Sequence, residues 1–134
     1  MRRLLIACTC VLGLWAVAPV YAHHSMAGFD RQKTVNLVGT IKQFKWANPH
    51  SWIEIDVPND KGEVQTWNVE MTSPAVLIRA GWKSTVLKPG DKVSIAAHPL
   101  ITGDPGAIFV SVTLADGTTL TDRPPQSSAA QTKQ

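Results

Sequence analysis

Between residues 34 and 46 the apolar side chains change sides partway along what otherwise reads as one long strand. Val35, Leu37 and Ile41 share one parity, with Gly39 between them, and Phe44 and Trp46 take the other. Successive side chains of a strand point to opposite faces. A change of parity therefore needs an extra residue or a sharp bend, which is how a strand turns the corner of a closed barrel. A chain that opens its folded part in this way is steered toward a small, strongly coiled β-structure.

The segments that follow fit that geometry. Ala47-Asn48-Pro49-His50 breaks the first strand, because Pro removes a ladder donor and Asn favours turns. Residues 51–57 alternate, with Ile53, Ile55 and Val57 on one face and Trp52, Glu54 and Asp56 on the other. Asn59-Asp60-Lys61-Gly62 predicts a hairpin turn into residues 64–71, with Trp67, Val69 and Met71 inward and Asn68 and Glu70 outward. Ser73-Pro74 predicts a helix start, and Gly81 stops that helix after about two turns. Beyond the Pro89-Gly90 turn, residues 92–98 place Val93, Ile95 and Ala97 inward. In residues 108–114 the pattern puts Ile108, Val110, Val112 and Leu114 on the core face. Three strands, a short helix and two strands, with a bulged first strand, is the order of an all-β OB-fold barrel, in which closure removes exposed edges. A five- or six-stranded sandwich is the alternative.

The ends of the chain read differently. Met1-Arg2-Arg3, an apolar run from Leu4 onward and small residues Val20 and Ala22 at the cleavage positions have the layout of a secretory signal peptide over residues 1–22. Gly13 and Pro19 within the run argue against a retained membrane anchor. Only four apolar residues precede Cys8, too few for a lipoprotein signal. Cleavage after Ala22 predicts a periplasmic chain of 112 residues from which Cys8 and Cys10 have gone, leaving neither a disulfide nor thiolate chemistry. It would have an arm over residues 23–33, a domain over 34–120 and a disordered tail over 121–134, where Pro, Ser, Gln and Ala offer little to bury. Loss of Arg2 and Arg3 lowers the formal net charge from +3 to +1. A near-neutral domain without a Lys/Arg cluster is poorly suited to nucleic acid.

Processing at that point would start the mature chain with His23-His24-Ser25-Met26. In an OB-fold the ligand face is the surface of strands 2 and 3, bordered by the loops after strands 1 and 4. Asn48 and His50 fall on the first of these loops and His98 opens the second. An arm crossing that face would bring His23, His24, His50 and His98 toward one point, with Met26 and Met71 as thioether candidates. Imidazole suits copper and zinc, and thioether leans toward Cu(I), so copper is the first expectation and zinc the second. An α-amine with a pKa near 8 can lose its proton to a metal, and with the side chain of His23 it would close a chelate ring. That arrangement resembles the histidine brace of copper-dependent polysaccharide monooxygenases and some periplasmic copper-binding proteins.

A reading from a different class is an envelope ligand- or protein-binding module. It would use Trp52 as a stacking platform with Glu54, Glu70 and Asn48 as polar partners. An enzyme, either a copper oxidase or a hydrolase using Glu54 and Glu70, comes third. The chain carries no Gly-rich phosphate loop, Ser nucleophile elbow or Cys–His pair, and the primary reading is non-enzymatic.

Several motifs recur together: His23-His24-Ser25-Met26, Phe29-Asp30, Asn48-Pro49-His50, Trp67-Asn68-Val69-Glu70, Gly81-Trp82, Leu87 through Asp91, and Leu114 through Gly117. In these the chain resembles a family of small exported proteobacterial proteins that share a domain of unknown function. The resemblance spans roughly residues 23–120. It implies a periplasmic β-barrel-like domain and brings no activity, cofactor or catalytic residues with it.

Overall fold

A computed structural model of the chain describes residues 28–123. The elements are β1 (Val35–Lys45), β2 (Trp52–Pro58), β3 (Val64–Glu70), α1 (Pro74–Arg79), β4 (Lys92–Pro99), β5 (Gly106–Thr113) and β6 (Thr119–Thr121). The sheet runs β3-β2-β1-β4-β5-β6, and a parallel pairing of β3 with β5 closes the first five strands into a barrel. A five-stranded barrel with one helix between its third and fourth strands is the OB-fold.

Strand β1 does what its parity change requires. Its first half pairs with β4, from Val35↔Ala97 to Thr40↔Lys92, and its second half with β2, from Thr40↔Asp56 to Lys45↔Trp52. The register slips between Ile41 and Gln43, so Lys42 is the extra residue that moves Phe44 to the core side. Just before the slip, Gly39 lies so close to β2 that a Cβ there would stand 2.2 Å from the carbonyl oxygen of Asp56. The coil of the barrel is set at this point.

Helix α1 ends as Gly81 predicts. Gly81 has φ 90°, its N–H donates to Ile78 O and that of Trp82 donates to Leu77 O, both at 3.0 Å. This Schellman closure satisfies the last carbonyls and turns the chain sharply enough to drive Trp82 inward. Leu77 and Trp82 are both buried. The indole lies 5.5 Å from the Phe109 ring, edge-on, and 6.0 Å from Phe44. The core around it is made by Leu37, Ile41, Ile53, Ile55, Ile95 and Val112, all inward on their strands.

Two features depart from the sequence pattern. The first is β5, where Ala107, Phe109 and Val112 are buried and Ile108 and Val110 are only partly so. Ala96 pairs with Ser111 and Ala97 with Phe109, leaving Val110 as a bulged residue that switches the parity. Unbroken alternation from Ile108 to Leu114 is thus the wrong reading, because the register against β4 shifts by one residue between Ala96 and Ala97. The second is β6, three residues pairing with β5 from Ser111↔Thr121 to Thr113↔Thr119. It is led in by the Asp116-Gly117 turn, where Thr118 N–H donates to Asp116 Oδ1 at 2.8 Å. The expected tail boundary at residue 121 falls within β6, and residues 124–134 lie outside the described residues.

Beyond its ladder with β5, strand β6 is held by a side chain from just past the end of α1, since Trp82 Nε1–H donates to the carbonyl oxygen of Thr121 at 2.7 Å. The next residue, Asp122, is partly buried, and desolvation raises its carboxyl above the ordinary 3.8 against the opposing pull of Arg123. A raised carboxyl pKa means that the folded state disfavours the ion. The penalty grows as pH rises through the folded pKa and is absent once both states are protonated. Asp122→Asn should therefore raise the urea midpoint at pH 7, and the gain should vanish below about pH 3. Equal gains at both pH values would show that burial of the charge is not the cause.

Candidate functional site

The β2–β3 ladder builds the outer face on which the expected site falls. Trp52 pairs with Glu70 and Glu54 with Asn68, so Trp52 and Glu70 stand side by side, with Glu54 and Asn68 in the next row. The ladder continues past the end of β2, with Ser51 N–H donating to Thr72 O and Met71 N–H to Ser51 O. This pairing lays the chain before Ser51 against the end of β3. There His50 Nδ1 donates to the Oε1 of Glu70 in a short contact. The side chain of Glu70 is 13% exposed and that of His50 33%, so the carboxylate is sunk behind an imidazole that solvent can reach. A carboxylate holding one ring nitrogen is the usual support for a ligating histidine.

The other expected residues are distributed around this pair. Asn48 is exposed in the turn and joined to Pro49 by a cis peptide bond. Glu54 is partly buried one row away from Trp52. His98 is on β4, opposite Ile108, which in turn pairs with Glu70. It thus stands two strands from Glu70, roughly 10 Å around the barrel. Its Nδ1–H donates to the carbonyl oxygen of Lys33 at 2.8 Å, which ties the arm to β4. The structure brings His50, Glu70 and Trp52 together and leaves His98 apart from them. Met71, considered above as a thioether ligand, is buried in the core and faces away from the site. His23, His24 and Met26 lie outside the described residues. Among the described residues no group of three or more His, Cys, Asp or Glu side chains is placed to hold a metal ion.

A groove of about 410 Å³ runs beside Glu70, walled by Phe29, Trp52, Leu100 and Pro105, with Gly106 buried in it. Sequence reasoning missed most of this wall. Phe29 enters the sequence reading only in the Phe29-Asp30 motif. The structure docks it onto the loop after β4 through a Phe29↔Leu100 bridge. Asp30 N–H donates to Pro99 O at 2.8 Å and Ile101 N–H to Gly28 O at 3.0 Å. A Cβ at Gly106 would meet Leu100 Cδ1 at 2.5 Å, so any larger residue there would have to push the Leu100 side chain aside. Leu100, Pro105 and Gly106 come from the second loop that the OB-fold reading places at the ligand face.

No curated protein matches the chain in sequence. Among solved structures it is similar to a mitochondrial single-stranded DNA-binding protein of S. cerevisiae, Rim1. The identity is 13% over 62% of this chain and 94% of that one, with a TM-score of 0.46. At that distance the strand order and the closure of the barrel carry the fold assignment. The sequence match is to a family and covers the barrel as far as β5: with residues 12–109 matched, the chain belongs to the family of unknown function DUF6152.

Proposed function

We propose that the chain is an exported, periplasmic domain that binds a transition metal, copper ahead of zinc. Its ligands would be His50, the amine and imidazole of His23 at the processed N-terminus, and His24 or Met26. The observation that carries this reading is the seating of the arm. Phe29 and Glu70 line the same groove, and Glu70 holds His50. His23 precedes Phe29 by six positions, a span of roughly 20 Å for extended chain, enough to reach back to His50. Glu70 is the supporting carboxylate in this reading and not a ligand. Without the arm, His50 alone holds a metal weakly.

Calorimetric titration of Cu(II) and Zn(II) into protein processed to His23 tests it. Copper should bind one to one. His50→Ala should weaken it at least tenfold, and Glu70→Gln by roughly 10- to 100-fold through loss of ring orientation. One extra residue ahead of His23 should remove the tight phase, because it converts the chelating amine into an amide. Trp52→Ala should leave copper affinity unchanged. Equal affinity in all four variants would refute the site.

A further inference from the structure

We infer that the groove beside Glu70 binds a small aliphatic polyammonium ion, a diamine or polyamine. It shares Glu70 with the metal reading above but uses none of the proposed ligands, and it does not depend on metal. The groove's wall is apolar and aromatic, from Phe29, Trp52, Leu100 and Pro105. Among the described residues the charged groups in its lining are Glu70 and Asp104, both carboxylates, and the amide of Asn68 adds a neutral hydrogen-bonding group. Asp104 is held in place by Thr102 Oγ1–H, which donates to its Oδ2 at 2.8 Å. The adjoining row of the same face adds Glu54, and Asp56 lies beyond it with its Oδ1 taken by Thr66 at 2.6 Å. Lys45 pairs with Trp52 from β1 and so stands on the side of Trp52 away from the groove.

A wall of this kind selects its occupant by charge. Among the described residues no lysine or arginine lines it to neutralise a phosphate, so an anionic strand would meet carboxylates with nothing in return. An ammonium ion is attracted both by the carboxylates and by the faces of Trp52 and Phe29, and its methylene stem covers Leu100 and Pro105. A volume of about 410 Å³ suits one small molecule and lies in the range of ordinary ligand pockets.

The test is calorimetric titration of spermidine and 1,4-diaminobutane into the processed full chain after removal of metal with EDTA, at low ionic strength. Controls are 1,4-butanediol and maltotriose, which keep the stem or the hydroxyls without the charge. Spermidine should bind one to one. Its affinity should fall at least tenfold in Asp104→Asn, an exposed-loop change at a residue that is not one of the proposed metal ligands, and at least tenfold in Trp52→Ala, with circular dichroism and melting confirming the fold of both. Affinity should also fall steeply with added salt. The proposal is overturned if spermidine does not bind, if neither substitution weakens it, or if maltotriose or the diol binds as tightly. Because the protein is metal-free, none of those results bears on copper binding.

Discussion

Trp82→Ala should lower stability by roughly 4 kcal/mol and Tm by on the order of 20 °C. The indole is 2% exposed, sits between Phe44 of β1 and Phe109 of β5, and donates to Thr121 of β6. Its removal opens a cavity where the helix meets the barrel and releases the last strand at the same time. Trp82→Phe separates the two effects. It keeps most of the apolar volume and gives up the indole N–H, so it should cost about 1 kcal/mol for the lost hydrogen bond plus a packing remainder. Amide exchange should then accelerate at Thr119–Thr121 while the amides of β1 and β2 stay protected. If β6 remains as protected in Trp82→Phe as in the parent, the Thr121 contact is not what holds it.

Gly39→Ala is the second large effect, and its origin is steric. The new methyl would lie 2.2 Å from Asp56 O and 3.1 Å from Ile55 Cγ1. A backbone oxygen in a paired strand cannot swing aside as a side-chain tip can. Relief requires β1 to lift from β2, which gives up the Thr40↔Asp56 and Ile41↔Ile55 pairs at the place where β1 passes from one neighbour to the other. A loss of about 3 kcal/mol or more is expected, at the upper end for overpacking in a tight core. Val38→Ala, one residue away and 59% exposed, should change stability by less than about 0.5 kcal/mol. A denaturant titration of the two variants side by side checks this, and near-equal midpoints would mean that the corner is looser than described.

These two positions also show how far the sequence could be read. Gly39 and the parity change after Ile41 announced the coil of β1, because a bulge leaves its mark on the apolar pattern when both flanking halves carry large residues. The bulge at Val110 left no such mark: Ile108, Val110 and Val112 are all β-branched and alternate without a break. Which of them faces inward follows from the register shift against Ala96 and Ala97, a pairing fact that the strand's own pattern does not carry. Strand β6 was missed for a related reason. One of its anchors is Trp82, thirty-nine positions earlier, and leaves no mark on the strand's own residues.

The site was legible in outline and not in detail. Placing Asn48-Pro49-His50 on the ligand face follows from the strand order, and Trp52, Glu54 and Glu70 follow from alternation. That His50 would be held by Glu70 depends on the Trp52↔Glu70 register and on the ladder running on through Ser51. Phe29, Leu100 and Pro105 were hidden because they sit in loops, where periodicity has nothing to say. The groove they form exists only once the arm is paired to the loop after β4.

The account turns on whether the mature N-terminus meets His50. Electron paramagnetic resonance of protein processed to His23 and loaded with one equivalent of Cu(II) measures this directly. It should show an axial type 2 signal with nitrogen hyperfine structure, which loses one coupled nitrogen when His50 is replaced by alanine. It should change form when one residue is added ahead of His23. A signal identical in all three proteins would place copper elsewhere and contradict the account.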